Sequence, residues 1–245
     1  MENADVLDAV FVAIDRPDGV IAAVSERGAA PPETPSPTAA LARRFADSLG
    51  YPELPIVRAT QVHGARVVTV EETPAPGEVV DAGACDALVT RLPGVGLAIQ
   101  TADCVPVLLT APGAVGAAHA GWRGSASNVA GAAAQALLAL SPSRAAARAW
   151  LGPSIGPCCY EVGEEVAGRF PFRFVRAAGE GKFFLDLPGV VRWQLEEAGI
   201  PPENVSAHPS CTMCGGERFA SYRRDREKAG RMIALVARYA GVRSA

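Results

Sequence analysis

Histidine is scarce in this chain, with three among 245 residues, and lysine is scarce too. No run of about 20 apolar residues is present to span a bilayer. The opening stretch, MENADVLDAVFVAIDRPDG, carries acids where an export signal carries lysine or arginine, so a cytoplasmic protein is expected. A formal charge of −3 provides no general attraction to nucleic acid or to an anionic membrane, and neither is an expected partner. The glycines at 121, 124, 131, 152 and 156 follow neither the dinucleotide nor the P-loop pattern and read as turns. The nucleobase-deaminase signature is also missing: His208-Pro209-Ser210 lacks the acid, and Ser210 stands where a proline should precede Cys211. No Pro/Gly/Ser linker divides the middle of the chain, which predicts one domain over residues 1–245.

Hydrophobic residues make up 49% of the chain, enough for a sizeable core. Short apolar runs bounded by Gly, Pro and Asp read as strands: 9–14 and 20–24 as a hairpin about Arg16-Pro17-Asp18-Gly19, then 56–59, 66–70, 85–90, 96–100, 105–110, 114–118, 150–151, 183–187 and 205–207. Helical spacing predicts helices over 38–49, capped by Thr38, and over 125–140, 164–170, 190–198 and 227–239. The stretches 25–37 and 71–84 read as loops. The fold class expected is α+β, with mixed β-sheets flanked by helices.

The centre of this pattern is LAIQTADCVPVLLTAPGAVGAAHAGWRG, residues 97–124. Its strands end on reactive side chains, Asp103 and Cys104 in one place and His119 in another, and His63 follows a strand in the same way. Two imidazoles and a thiolate make a three-ligand zinc site with an open fourth position, the catalytic arrangement. Cys104 and His119 also read as a nucleophile and its base, with Asp103 or another acid orienting the imidazole; Asp103 is the nearest candidate for that orientation or for moving a proton. The segment 218–228 interleaves arginine with Glu217, Asp225 and Glu227, which predicts a local anion pocket. Arg123, Arg223 and Arg224 are candidates to grip an anion bidentately, and Tyr222 to bind substrate. The helix expected after Arg123-Gly124 points its N-terminus at the same turn, where a phosphate is stabilised. Cys211-Thr212-Met213-Cys214 invites a zinc-knuckle reading. Its only available partner, Cys158-Cys159, is an adjacent pair that does not bite as a knuckle does, so these cysteines read as free thiols or metal ligands rather than a disulfide frame.

Seven blocks in order, QVHG (61–64), CDALVT (85–90), TADCVPVLL (101–109), HAGWRG (119–124), IGPCCYEVGEEV (155–166), LDL (185–187) and ERFASYRRD (217–225), resemble the laccase-domain family over roughly residues 60–235. Its members have been called polyphenol or multicopper oxidases, and are read as purine nucleoside phosphorylases with adenosine deaminase activity or as peptidoglycan editing factors. The resemblance implies zinc on His63, Cys104 and His119, with copper the alternative from the older label. It also implies phosphorolysis of adenosine, guanosine, inosine and methylthioadenosine, and deamination of adenosine. Against the multicopper label, three histidines are too few to hold several coppers. Two other readings stay open: a Cys104/His119 amide hydrolase acting on cell-wall precursors, and a zinc-stabilised binding protein without turnover. The chain departs from the family at 25–30, where Arg27 and Gly28 alone align with its Arg-Gly-Gly-Val-Ser loop, and after Asp225, where a glycine is common.

Overall fold

The computed structural model describes residues 9–15, 19–28 and 37–239. The 16–18 part of the expected hairpin turn and most of the 25–37 loop lie outside them. Two six-stranded mixed sheets and one three-stranded sheet carry the architecture. The first sheet runs Ala9–Asp15, Val20–Ser25, Met232–Arg238, Gly96–Thr101, Ile56–Thr60, Val79–Ala84. The second runs Val205–Ala207, Arg148–Leu151, Val105–Ala111, Ala114–Ala120, Ala87–Thr90, Val67–Val70. The small sheet joins Glu161–Gly163, Lys182–Leu185 and Val175–Gly179.

The two-residue period of the strands sorts the core into layers. Leu97, Ile99, Ala234 and Val236 of the first sheet meet Leu88, Leu108, Val115 and Ala117 of the second in one apolar cluster. The alternate residues of the first sheet, Ala23, Ala98, Ile233 and Leu235, pack with Leu41, Ala42, Phe45 and Ala46 of the helix Pro37–Ser48. On the far side, Val89, Val107, Leu109 and Ala118 pack with the helices Val129–Leu140 and Leu187–Glu197. The α+β class with mixed sheets is therefore observed.

Three expected elements differ. The closing helix over 227–239 is a strand, Met232–Arg238, hydrogen-bonded between Val20–Ser25 and Gly96–Thr101. Met-Ile-Ala-Leu-Val-Ala is buried on both faces and so has no period that separates a buried strand from a buried helix. The loop 71–84 ends in a half-exposed edge strand, Val79–Ala84, whose Gly, Ala and Asp hide its parallel pairing to Ile56–Thr60. The helix over 125–140 is two pieces, Trp122–Ala126 and Val129–Leu140, parted by Asn128 at φ 62°. Thr38 lies inside its helix rather than capping it, and its hydroxyl donates to Gln100 Oε1 at 2.7 Å.

Candidate active site

Ile56–Thr60, Val79–Ala84 and Gly96–Thr101 are parallel, so all three leave the first sheet at one end. From there the chain crosses to the second sheet through 61–66, through Cys85-Asp86 and through Ala102-Asp103-Cys104. Ala114–Ala120 runs antiparallel to its neighbours and finishes at that end, with His119 opposite Pro106. Met232 pairs with Thr101, which brings the preceding Arg231 to the same place. Every segment that carries a candidate ligand thus passes over the seam between the sheets.

One buried carboxylate organises these crossings. Asp86 accepts the backbone N–H groups of Val62 at 3.2 Å, His63 at 2.9 Å and Gly64 at 2.6 Å, and its Oδ1 lies 2.9 Å from His119 Nδ1. These bonds hold His63 at φ 60°, a left-handed conformation that a histidine adopts only under such constraint. They also fix the His119 tautomer, leaving Nε2 as the ring nitrogen available to a ligand. Burial works against ionised Asp86, but the His119 hydrogen bond and the backbone donors outweigh it and hold the carboxyl below the usual range.

The ligand atoms of His63, Cys104 and His119 lie within 4.8 Å of one another. The two imidazoles meet edge to face, with centroids 4.8 Å apart. Burial pushes the Cys104 thiol up, yet the charge and hydrogen bond of His119, followed by those of His63, bring it down to about 6. His119 is disfavoured as a cation by burial, but Cys104 and Asp86 raise it to about 9. A thiolate held by two imidazoles, one of them oriented by a carboxylate, is a donor set suited to Zn2+.

Gly121 makes the close approach possible. A Cβ there would stand 2.9 Å from Cys104 Sγ and 3.1 Å from His63 Cδ2. Its φ of −78° and ψ of 170° suit alanine, so Gly121→Ala acts through crowding alone. The crowding is expected to push Cys104 Sγ away, weakening the hold of the three donors on any ion and costing about 1–3 kcal/mol of stability; competition titration against a chelating dye measures the first and thermal melting the second.

A cleft of about 590 Å³ opens on the three donors. Of the residues singled out from the sequence, Asp103, Cys104, Arg123, Tyr222 and Arg223 line it together with His63 and His119. Gln61, Trp122, Tyr160, Arg226 and Arg231, which the sequence reading did not select, line it too. The Arg123 guanidinium lies 4.4 Å from the Trp122 ring centroid and that of Arg223 5.4 Å from Tyr160. Burial, and next the Cys104 charge, raise the Tyr160 phenol well above its ordinary value, so it is a neutral hydroxyl donor at pH 7. Asp103, at φ 85°, accepts from Thr212 Oγ1 at 2.6 Å and from the Arg223 backbone N–H at 2.7 Å. The carboxylate that orients His119 is therefore Asp86 and not Asp103, which faces the arginine segment instead.

Arg224 is not a cleft residue. Its guanidinium donates to the carbonyls of Thr212, Met213, Gly216 and Phe219 and to both oxygens of Asp225. Asp225 also receives Arg27, and Gly28 exchanges backbone hydrogen bonds with Arg231, which ties the N-terminal segment to this one. Arg224→Ala leaves those carbonyls without their donor and is expected to cost about 1–2 kcal/mol in urea denaturation. A substrate ligand would show the reverse pattern, a raised KM at unchanged stability.

Residues 26–239 match the sequence model of a family described as multi-copper polyphenol oxidoreductase laccase. A purine nucleoside phosphorylase of Deinococcus radiodurans is 40% identical over 215 residues, covering 83% of this chain and 78% of that one. An adenosine deaminase from an unknown prokaryotic organism is 34% identical and covers 75% of each chain. The crystal structure of YlmD from Geobacillus stearothermophilus superposes with a TM-score of 0.77 at 33% identity, covering 93% of this chain and 94% of that one. Among the described residues no helix is long and apolar enough to cross a membrane.

Proposed function

Because the chain belongs to the multi-copper polyphenol oxidoreductase laccase family, and relatives are named purine nucleoside phosphorylase and adenosine deaminase, we propose that it is a zinc-dependent purine nucleoside phosphorylase that also deaminates adenosine. The observation that carries this reading is the convergence of His63, Cys104 and His119 on a cleft that also holds Arg123, Arg223, Arg226 and Arg231. His63, Cys104 and His119 would hold the ion. A Zn2+ so bound supplies Lewis-acid charge and water of lowered pKa. The several histidines that hold the coppers of a multicopper oxidase are not present: of three, only His63 and His119 reach the cleft, and His208 accepts the Ser210 N–H and packs on Phe219.

In phosphorolysis a phosphate oxygen bonds to ribose C1′ while the C1′–N9 bond breaks and the purine takes a proton. The cleft arginines neutralise the phosphate, and their planar forks hold it in one orientation. Trp122, Tyr160 and Tyr222 offer aromatic faces to the base, and the neutral Tyr160 hydroxyl is a donor for the leaving purine or a ribose oxygen. Asp103, with both oxygens engaged, positions Arg223 rather than moving a proton.

The test is hypoxanthine release from inosine with and without phosphate, alongside ammonia release from adenosine. Release that requires phosphate and yields ribose 1-phosphate supports the assignment. Absence of release from inosine, adenosine, guanosine and methylthioadenosine overturns it. The Cys104 thiolate beside the His119 cation also suits a nucleophile and its base. That reading predicts amide hydrolysis on cell-wall precursors, lost on thiol alkylation and indifferent to chelation.

A further inference from the structure

Away from the cleft donors, four sulfurs share one place. Arg148–Leu151 and Val205–Ala207 are parallel neighbours, so the loops that follow them emerge side by side. One loop carries Cys158 and Cys159, the other Cys211 and Cys214. The loops are pinned together by a parallel bridge between Ser154 and Cys211 and by the Thr212 N–H on the Ser154 carbonyl at 3.0 Å. The four Sγ atoms lie within 4.8 Å of one another, and Cys158 Sγ and Cys214 Sγ are 3.7 Å apart.

We propose that Cys158, Cys159, Cys211 and Cys214 form a second metal site, a structural Zn2+ held by four thiolates that clips the back wall of the cleft. Four sulfurs placed tetrahedrally at about 2.3 Å from zinc stand about 3.8 Å apart, the separation of the Cys158 and Cys214 sulfurs. A disulfide needs about 2.05 Å, far shorter than the 3.7 Å between Cys158 Sγ and Cys214 Sγ, and all four cysteines are free. The Gly156 N–H points at Cys211 Sγ at 3.2 Å, a donor that favours the thiolate form. Glycine is needed at 215, where a Cβ would stand 2.5 Å from the Cys211 carbonyl, and the loops are close at 156, where a Cβ would meet Cys211 Cβ at 3.3 Å. The adjacent pair Cys158-Cys159, unsuited to a knuckle by spacing, reaches the same centre because the loop turns sharply there, with the Cys159 and Tyr160 N–H groups both on the Gly156 carbonyl.

The clip would act on the cleft through two short links. Ile155 and Tyr160, which line the cleft, flank the first cysteine pair. Thr212, between the second pair, holds Asp103 and through it the Arg223 backbone. Losing the metal therefore loosens one wall of the cleft without removing a cleft ligand.

The experiment uses the full chain carrying His63→Ala and His119→Ala, purified under reducing conditions without added metal. That background removes two of the three cleft donors and leaves Cys104 alone, too few to hold an ion, so the outcome does not depend on the phosphorylase reading. Elemental analysis should find about one zinc per folded chain, and X-ray absorption at the zinc edge should show sulfur ligands alone at about 2.3 Å. Adding Cys214→Ser should remove most of that zinc and lower the melting temperature. Should that variant not fold, blocking the thiols of the parent protein with a mercurial should release the zinc in step with modification of these four cysteines. Zinc-free folded protein, iron in the site, nitrogen or oxygen ligands, or a Cys158–Cys214 disulfide in the protein as purified would overturn the proposal.

Discussion

Cys104→Ala should strip the cleft of metal and lower phosphorolysis of inosine by at least about 10³-fold, since Lewis-acid stabilisation of a developing charge contributes several kcal/mol. Cys104 supplies the one thiolate of the donor set, and its anionic form rests on both imidazoles. Alanine leaves two histidines, too few to retain the ion, while His119 keeps its bond to Asp86. Cys104→Ser should fare little better, because a neutral hydroxyl is a poor zinc ligand. The fold should survive both changes, as Cys104 lies at the seam rather than within either apolar layer. Metal content and turnover, measured on the same preparations, check this; a variant that keeps both would contradict it.

Asp86→Asn should be the most damaging change that removes no proposed ligand. The carboxylate is fully buried and accepts three backbone N–H groups as well as His119. A carboxamide turns an N–H₂ group toward one of those donors, and the buried network loses about 3 kcal/mol. Metal affinity should drop about 10- to 100-fold as His119 loses its orientation and the 62–64 turn its anchor. The pH dependence carries its own signature. The folded-state value of Asp86 is depressed, so its contribution is fully present above the unfolded value of about 3.9 and is lost as pH falls through the lower folded value. Wild-type stability should therefore fall on the acid side of about pH 4, and the asparagine variant should lack that component. Chemical denaturation across pH 2.5 to 7 measures it, and superimposable pH profiles would refute the role given to Asp86.

Why some of this was legible in the sequence and some was not follows from what each residue depends on. His63, Cys104 and His119 each sit where an apolar run breaks, and a strand that ends on a reactive side chain is a local pattern. That the three meet is a matter of topology, because consecutive strands switch sheets at one end. Asp86 follows Cys85 in an equally local pattern, but its partners come from 62–64 and from His119, so its role exists only once those segments cross. The arginines part company for a similar reason. Arg224 turns onto carbonyls of its own loop, whereas Arg226 and Arg231 reach the cleft because the strand after them starts there. The cysteine pairs looked incompatible by spacing along the chain, yet two parallel strands bring their loops into contact. Met232–Arg238 was misread because a strand buried on both faces carries no alternation.

A zinc ion held by His63, Cys104 and His119 makes purine nucleoside phosphorolysis depend on the metal, and that dependence can be read in one assay. The most direct measurement is phosphate-dependent hypoxanthine release from inosine by the purified enzyme of known metal content, before and after chelation and again after zinc is restored. Release should be lost on chelation and should recover with Zn2+. Full activity in protein whose cleft holds no metal, or restoration by copper and not by zinc, would contradict it.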